Sequence, residues 1–485
     1  MCMVMHIRLL IIRVKRHVFL TIFMFSLVVV LGFISHKWRN MILNLDLPNR
    51  RQATIVQPFV IKTDLLTEEN VQKLLSSKSY HLTTEKILNE KIAKAKRFYQ
   101  KMQHISQKMK KYRSNSNTEQ NRTVSTKLNY DVHIFYYVWY GNLVVDHEWK
   151  HWNHRYLPNW KKEDKRVYPT GSHHPPTDIS SNFYPALGCY SSRDNNIIDV
   201  HMRLLRDANI GVLVISWYPP GMSDTEGASS DSLVSVLLDI ANKYDLKIAL
   251  HIEPYSGRNP INLAKYLQYI ATQYASHPAF YHRRHRGKKL PVFYIYDSYL
   301  TPSGTWKELL SSKGNLSVRG TKLDGIFLGL LVDVQHRYEI KKAHFDGFYT
   351  YFASSGFTYG SSWKNWRSLS KFAYQNSLIF VPSVGPGYID TQIRPWNVAN
   401  IRHRRHGKYY EVAWRSAITT QPKIISITSF NEWHEGTQIE PALPKSTPSF
   451  TYLDYEPEGP YFYLNLTKWW INEFTKRTQD DSTRI

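Results

Sequence analysis

The chain has 485 residues, is 42% hydrophobic and 14% aromatic, and carries 14 Trp, 33 Tyr and two cysteines. It is too long for one small domain, long enough for a large α/β barrel with additions, and too poor in cysteine for a disulfide framework or a thiolate zinc site. The net charge of +24 raises nucleic acid as a partner, but no zinc-finger spacing or RNP1 motif is present, and the excess is partly local, gathering in the N-terminal tail, Lys91 to Arg113, His282 to Lys289 and Arg402 to Lys408; solvated faces and loops account for it better.

In chain order, residues 1–17 read as a cytoplasmic tail. VFLTIFMFSLVVVLGFI (Val18 to Ile34) follows and contains no charge. Its length is near the lower limit of roughly 17–25 residues for a membrane-spanning helix. Arg8, Arg13, Lys15 and Arg16 precede it, which predicts a type II signal anchor over 18–35 with the remainder luminal. A cleaved signal peptide is the competing reading; no clear small-x-small site follows the run. Residues 36–128 read as a polar stem. Leu88, Ile92, Ala95, Tyr99, Met102 and Met109 recur at helical spacing, so one long amphipathic helix is expected, either self-associating or lying on the main domain. SNSNTEQNRT (Ser114 to Thr123) reads as a linker. Asn121, Asn315 and Asn465 open N-x-[ST] triplets and are N-glycosylation candidates in a luminal body.

From residue 129 to 476 the texture changes. Eight short apolar runs begin at His133, Ile210, Leu246, Leu290, Leu323, His344, Ser377 and Pro422, with helical-looking stretches between most of them. Continuous apolar runs suit strands buried on both faces, and eight of them alternating with helices predict a (β/α)₈ TIM barrel. The gap between the fifth and sixth runs leaves least room for a helix. Residues 477–485 read as a C-terminal tail. In such a barrel the chemistry lies at the C-terminal ends of the strands; here those ends carry Tyr140, Trp217, His251 with Glu253, Asp297, Tyr351, and Glu432 with Glu435.

Several chemistries fit poorly. His147-Glu148-Trp149-Lys150-His151 matches HExxH, but no helical periodicity surrounds it and no third ligand is evident. His434-Glu435-Gly436-Thr437-Gln438 lacks the second histidine. No G-x-S-x-G elbow occurs, Cys189 is a lone thiol, Ser383 to Tyr388 lacks a phosphate loop's lysine, and no Asp-x-Asp is present to hold a nucleotide sugar through a metal. Paired carboxylates remain. Glu432 and Glu435 follow the eighth run in SFNEWHEGTQIEPA, and a spacing of three on a turn lets both enter one pocket. Glycoside hydrolysis needs such a pair held at different pKa values. Trp433 is expected to wall that pocket and desolvate one of them. A helix cap or an arginine pair would also explain a bare E-x-x-E.

At these residues the chain resembles glycoside hydrolase family 99, the endo-α-1,2-mannosidases. The likeness extends through FYYVWYGN (Phe135 to Asn142), HWNH (His151 to His154), FYPALGCYSSRD (Phe183 to Asp194), SWYPP (Ser216 to Pro220) and HIEPYSGR (His251 to Arg258). It continues in FYIYDSY (Phe293 to Tyr299), DGFYTYF (Asp346 to Phe352), GFTYGSSW (Gly356 to Trp363) and PSVGPGYIDTQIRPWN (Pro382 to Asn397). The resemblance implies a retaining enzyme that trims glucosylated high-mannose N-glycans, releases a glucosyl-mannose oligosaccharide, and needs no metal or cofactor. Carried over, Glu432 would be the base on the mannose 2-hydroxyl, forming a 1,2-anhydro sugar, and Glu435 the general acid and base. Tyr137, Trp217, His251, Glu253, Tyr351, Arg394, Trp396 and Asn431 become substrate-binding candidates. The expected setting is the Golgi membrane. The opposing reading is a catalytically weak, lectin-like homologue of the same barrel.

Overall fold

The computed structural model describes residues 127–482, apart from 161–163 and 165. The tail, anchor, stem helix and Asn121 therefore lie outside the described residues. Among those described, no helix is long and apolar enough to cross a membrane.

The eight apolar runs become the eight staves of a barrel. The strands are β1 (Asn129–Tyr136), β2 (Ile210–Trp217), β3 (Lys247–Ile252), β5 (Lys288–Ile295), β6 (Ile326–Leu330), β7 (Gly347–Tyr349), β8 (Ile379–Val381), β9 (Ser383–Val384) and β10 (Ile425–Ile427). Hydrogen bonding runs β8-β7-β6-β5-β3-β2-β1-β10-β9, with parallel pairing throughout this path. β8 and β9 stand at opposite ends of the path, yet only Pro382 separates them. They are one stave broken by a residue with no N–H to give. The Pro382 carbonyl still accepts from Ser426 N at 3.1 Å, so the ring closes through this segment and no barrel edge is left open.

Helices α1 (Asn195–Asp207), α2 (Val234–Asn242), α3 (Pro260–Gln273), α4 (Ser303–Leu310), α5 (His336–Lys342), α6 (Trp366–Gln375), α7 (Lys408–Ile418) and α8 (Phe462–Ser482) complete the chain. Their starts are written locally. Asp194 caps α1 through Asn196 N, and Asn259 with Asn262 forms a capping box at α3, whose first residue is Pro260. The short fifth-to-sixth gap holds only the seven residues of α5.

Inside the barrel the filling is aromatic. Phe135 is fully buried, with its ring centroid 4.9–5.8 Å from those of His251, Tyr294, Tyr349 and Tyr351. His133 Nδ1 meets Tyr294 Oη at 2.8 Å. A buried imidazole or phenol has to find such a partner. This plug fills the barrel interior up to the strand ends, where His251 and Tyr351 meet the site.

The two basic stretches are more ordered than solvated loops. His282–His285 forms β4, which pairs antiparallel with β5 as a hairpin. Arg286 (φ 48°) and Gly287 (φ 77°) make its tight left-handed turn. Arg283 pairs with Asp131 at the start of β1. In the second stretch, the Arg404 guanidinium lies 4.5, 4.9 and 4.6 Å from the ring centroids of Phe183, Tyr455 and Tyr463.

Candidate active site

Beyond β10 the backbone turns over Trp433 to Gly436, with Gly436 N bonded to Trp433 O at 3.2 Å. Gly436 has φ 59°, and a Cβ there would come within 2.6 Å of the Ile389 carbonyl. Only glycine satisfies both demands. The turn is held from several sides. Tyr140 donates its hydroxyl to Asn431 O (3.0 Å) and accepts from Trp433 N (3.1 Å). Arg404 Nη2 donates to the carbonyls of Gly436 (3.0 Å) and Gln438 (2.7 Å). Glu440, fully buried, accepts from Tyr190 Oη and Trp433 Nε1, both at 2.9 Å, and lies 3.1 Å from His201 Nε2.

Trp433 therefore does not wall the pocket. Its ring is fully buried behind the turn, because a buried indole N–H needs an acceptor and Glu440 supplies it. Desolvation of the carboxylates comes from elsewhere. Tyr137 and Tyr351, hydroxyl bonded to hydroxyl, each lie in the field of both Glu432 and Glu435. The two carboxylates thus share one tyrosine-lined space. Burial pushes the Glu432 carboxyl well above its ordinary value, and the charge of Glu435 adds to this. Burial lifts Glu435 to about 7, with Arg394 opposing and Asp390 reinforcing the rise. Arg394 Nη1 stands 3.1 Å from Asp390 Oδ2 and 3.9 Å from Glu435 Oε1.

His434 is no counter-ion to Glu432, although Nδ1 lies 3.6 Å from Oε1. Burial and the neighbouring His154 and His151 hold its pKa far down, so the ring is neutral. Nε2 faces the His151 carbonyl at 2.9 Å. A carbonyl only accepts, so the proton sits on Nε2 and a lone pair faces Glu432. The backbone N–H of His434 does donate to Glu432 Oε1, at 3.0 Å.

The HExxH match is not helical. His147 and His151 both have φ 61°, so their imidazoles do not share a helix face as zinc ligands would. His151 instead stacks on Trp139 (4.5 Å, 6°) and meets Asp224 Oδ2 at 2.9 Å.

The other predicted residues divide into two groups. His251, Glu253, Tyr137 and Tyr351 converge: His251 Nε2 meets Tyr349 Oη at 2.7 Å, its Nδ1 lies 3.3 Å from Glu253 Oε1, and its ring stacks on Tyr351. Trp217 and Asn431 are fully buried. Trp217 Nε1 donates to Asp231, and side chains alternate along a strand. Its neighbours Ser216 and Tyr218 take the inward side: Ser216 bonds Glu253 at 2.8 Å, and half-buried Tyr218 lies in the field of Glu253 and Asp224. Asn431 spends its amide on both backbone groups of Tyr137, at 2.8 Å each, pinning the end of β1 to the turn. Trp396 sits out on the rim, with Nε1 bonded to Leu157 O at 3.0 Å.

Sequence reasoning passed over Tyr218, Tyr296, Asp390, Arg404 and Glu440. Strand alternation pointed to Tyr218, and Glu440 lay inside the quoted SFNEWHEGTQIEPA. Tyr296, in the field of Glu435 and Glu253, lay inside FYIYDSY. Of the glycosylation candidates, Asn315 is exposed on the loop before β6. Asn465 is exposed on α8, but the hydroxyl of its Thr467 is buried against Tyr463 O.

A model of Glycosyl hydrolase family 99 matches residues 127–476. The chain belongs to this family. Family 99 enzymes are glycoside hydrolases, and so is this one. The protein is 55% identical over 350 residues to the Glycoprotein endo-alpha-1,2-mannosidase of Rattus norvegicus, covering 72% of this chain and 76% of that one. It is 52% identical over 350 residues to the Glycoprotein endo-alpha-1,2-mannosidase-like protein of Homo sapiens, covering 72% and 77%. The solved GH99 endo-alpha-mannosidase from Bacteroides thetaiotaomicron is similar with a TM-score of 0.67 and 45% identity, over 72% of this chain and 99% of that one. The family 99 match and this neighbour agree with the barrel built above.

Proposed function

We propose that the protein is a retaining endo-α-1,2-mannosidase acting on high-mannose N-glycans, glucose-capped ones included, with Glu432 and Glu435 as its working pair. The observation that carries the reading is the turn after β10. It brings two carboxyls into one tyrosine-lined space, and burial raises both. Two such groups hold a single proton between them near neutral pH. The reaction needs that proton on Glu435 and the charge on Glu432.

An arriving mannose 2-hydroxyl supplies the bias, because its O–H donates to Glu432 and favours the ionised form. Glu432 then takes the 2-hydroxyl proton as O2 attacks C1. The C1–O bond to the next sugar breaks, and its oxygen takes the proton from Glu435. The product on the enzyme is a 1,2-anhydro sugar, with no bond to the protein. Glu435, now a carboxylate, deprotonates the water that opens C1, and Glu432 returns its proton to O2. Two inversions leave the configuration retained. Asp390 and Arg394 set the field at Glu435, and Asn431 acts through the backbone of Tyr137. The apolar run at 18–35 with its basic flank supports a type II anchor in the Golgi membrane, with the barrel luminal and the stem helix free to self-associate.

The test is to incubate the protein with a glucose-capped high-mannose glycan, read the products by mass, and follow the first-formed anomer by proton NMR. A glucosyl-mannose fragment released as the α-anomer is expected. A single mannose, a free glucose or an initial β-anomer overturns the reading.

A further inference from the structure

We infer that Trp160 and Trp396 form a second carbohydrate subsite on the leaving-group side of the cut, an aromatic corner for a remote hexose of the glycan. The inference deepens the reading above and rests on it. The Trp160 side chain is 59% exposed. A lone exposed indole is ordinary at a protein surface; this one is neither lone nor loose. Its ring centroid lies 3.8 Å from that of Trp396, with the planes at 70°. The Trp396 indole is fixed in turn by Leu157 O at 3.0 Å.

The loop that carries Trp160 is tied to the one that carries Trp396. Leu157 N bonds Ile393 O at 2.7 Å, and Tyr156 Oη meets Gln392 Oε1 at 3.3 Å. Two rings are thus held at a steep angle by backbone bonds, while much of one remains in water. Leaving so much apolar surface wet is costly unless something covers it. The apolar C–H face of a pyranose is a good cover: flat, partly hydrated, and weakly bound enough to leave.

The side follows from the topology. The turn after β10 carries both glutamates, and β10 lies between β1 and β9 in the barrel. Glu253 and Tyr218 come from the ends of β3 and β2, beyond β1. Arg394 and Trp396 come from the loop after β9, on the opposite flank. Arg394 lies 3.9 Å from Glu435, the acid of the leaving oxygen, and Trp396 is two residues further on. A sugar stacked on Trp160 therefore belongs to the part of the glycan that departs, not to the fragment released from its cap.

The experiment uses the full chain and two substrates, an intact glucose-capped high-mannose glycan and a glucosyl-mannosyl fluoride, which has no sugar beyond the bond cut. Trp160→Ala should lower kcat/KM on the glycan about ten-fold, chiefly through KM. It should leave the fluoride unchanged, and Trp160→Phe should restore part of the loss. Equal rates for variant and wild type on the glycan, or an equal fall on both substrates, would overturn the subsite. If the wild type cleaves neither substrate, the endo-mannosidase reading falls instead. Glycan-induced quenching of tryptophan fluorescence then decides the subsite alone: loss in Trp160→Ala supports it, persistence refutes it.

Discussion

Burial lifts the Glu435 carboxyl to about 7, against 4.5 for a free glutamate. The group therefore binds its proton more tightly in the folded chain than in the unfolded one. The contribution of Glu435 to stability is fully present below pH 4.5, where both states are protonated, and is lost as pH rises from there to about 7. Above 7 the loss is complete and amounts to at most about 3 kcal/mol. Glu435→Gln removes the charge and keeps the shape. We expect its melting temperature to exceed that of the wild type at pH 8 by several degrees and to match it at pH 4.5; parallel pH profiles would contradict this. The reaction needs one proton on the pair, so kcat/KM should rise as the first proton leaves near 7 and fall again at higher pH as the last one leaves, read from the pH–rate profile of the free enzyme. Arg404 shows the other use of a charge. Its guanidinium is stacked among three rings and ties down two carbonyls of the catalytic turn. Charge-assisted bonds and cation–π contacts of this kind together contribute about 2–4 kcal/mol. Arg404→Met should lower the melting temperature and reduce kcat with KM little changed, read by thermal denaturation and steady-state kinetics. An unaltered kcat would leave Arg404 with no part in holding the turn. Nothing in RHRRHGK sets Arg404 apart from its neighbours. Which member of a basic run is buried depends on rings at 183, 455 and 463, far away in sequence, so local reading takes them all as solvated.

At the scale of elements, the chain announces its staves clearly. All eight apolar runs became barrel strands in order, because a strand buried on both faces has no polar positions to spare. The one break, at Pro382, was visible as a proline inside SLIFVPSVGPGY, but its consequence was not. Only the pairing of β8 with β7 and of β9 with β10 shows that the two pieces are one stave. The inward face of a strand is a matter of phase, and a run rich in apolar residues hides its phase. Trp217 was the substrate-binding candidate of SWYPP, yet it points outward to Asp231, and Tyr218 takes the inward place. Spacing also misleads when it borrows a helix that is absent. HEWKH matches a zinc motif letter by letter, but its histidines are left-handed turn residues. Chelation should therefore leave the activity unchanged. An EDTA-sensitive rate restored by zinc would show that the turn can rearrange around a metal.

Across the whole molecule, the barrel interior is a plug of rings around Phe135, and two of its members, His251 and Tyr351, also border the site of the titratable groups. Apolar burial across the barrel offsets the cost of holding two carboxyls at raised pKa. Pairing of Glu432 with Glu435 was legible from SFNEWHEGTQIEPA alone. Their different roles were not, since spacing says nothing about which carboxyl meets a 2-hydroxyl and which a leaving oxygen. That division is the central claim, and two variants assayed on two substrates test it most directly. A glucosyl-mannosyl fluoride needs no proton for its leaving group, whereas a glycan does. Glu435→Gln should lose several orders of magnitude on the high-mannose glycan yet release fluoride in its first turnover at much of the wild-type rate; Glu432→Gln should lose both. If Glu432→Gln hydrolyses the fluoride at a near-normal rate, or if mass spectrometry traps a sugar bonded to Glu432, the base assignment and the 1,2-anhydro route are both wrong.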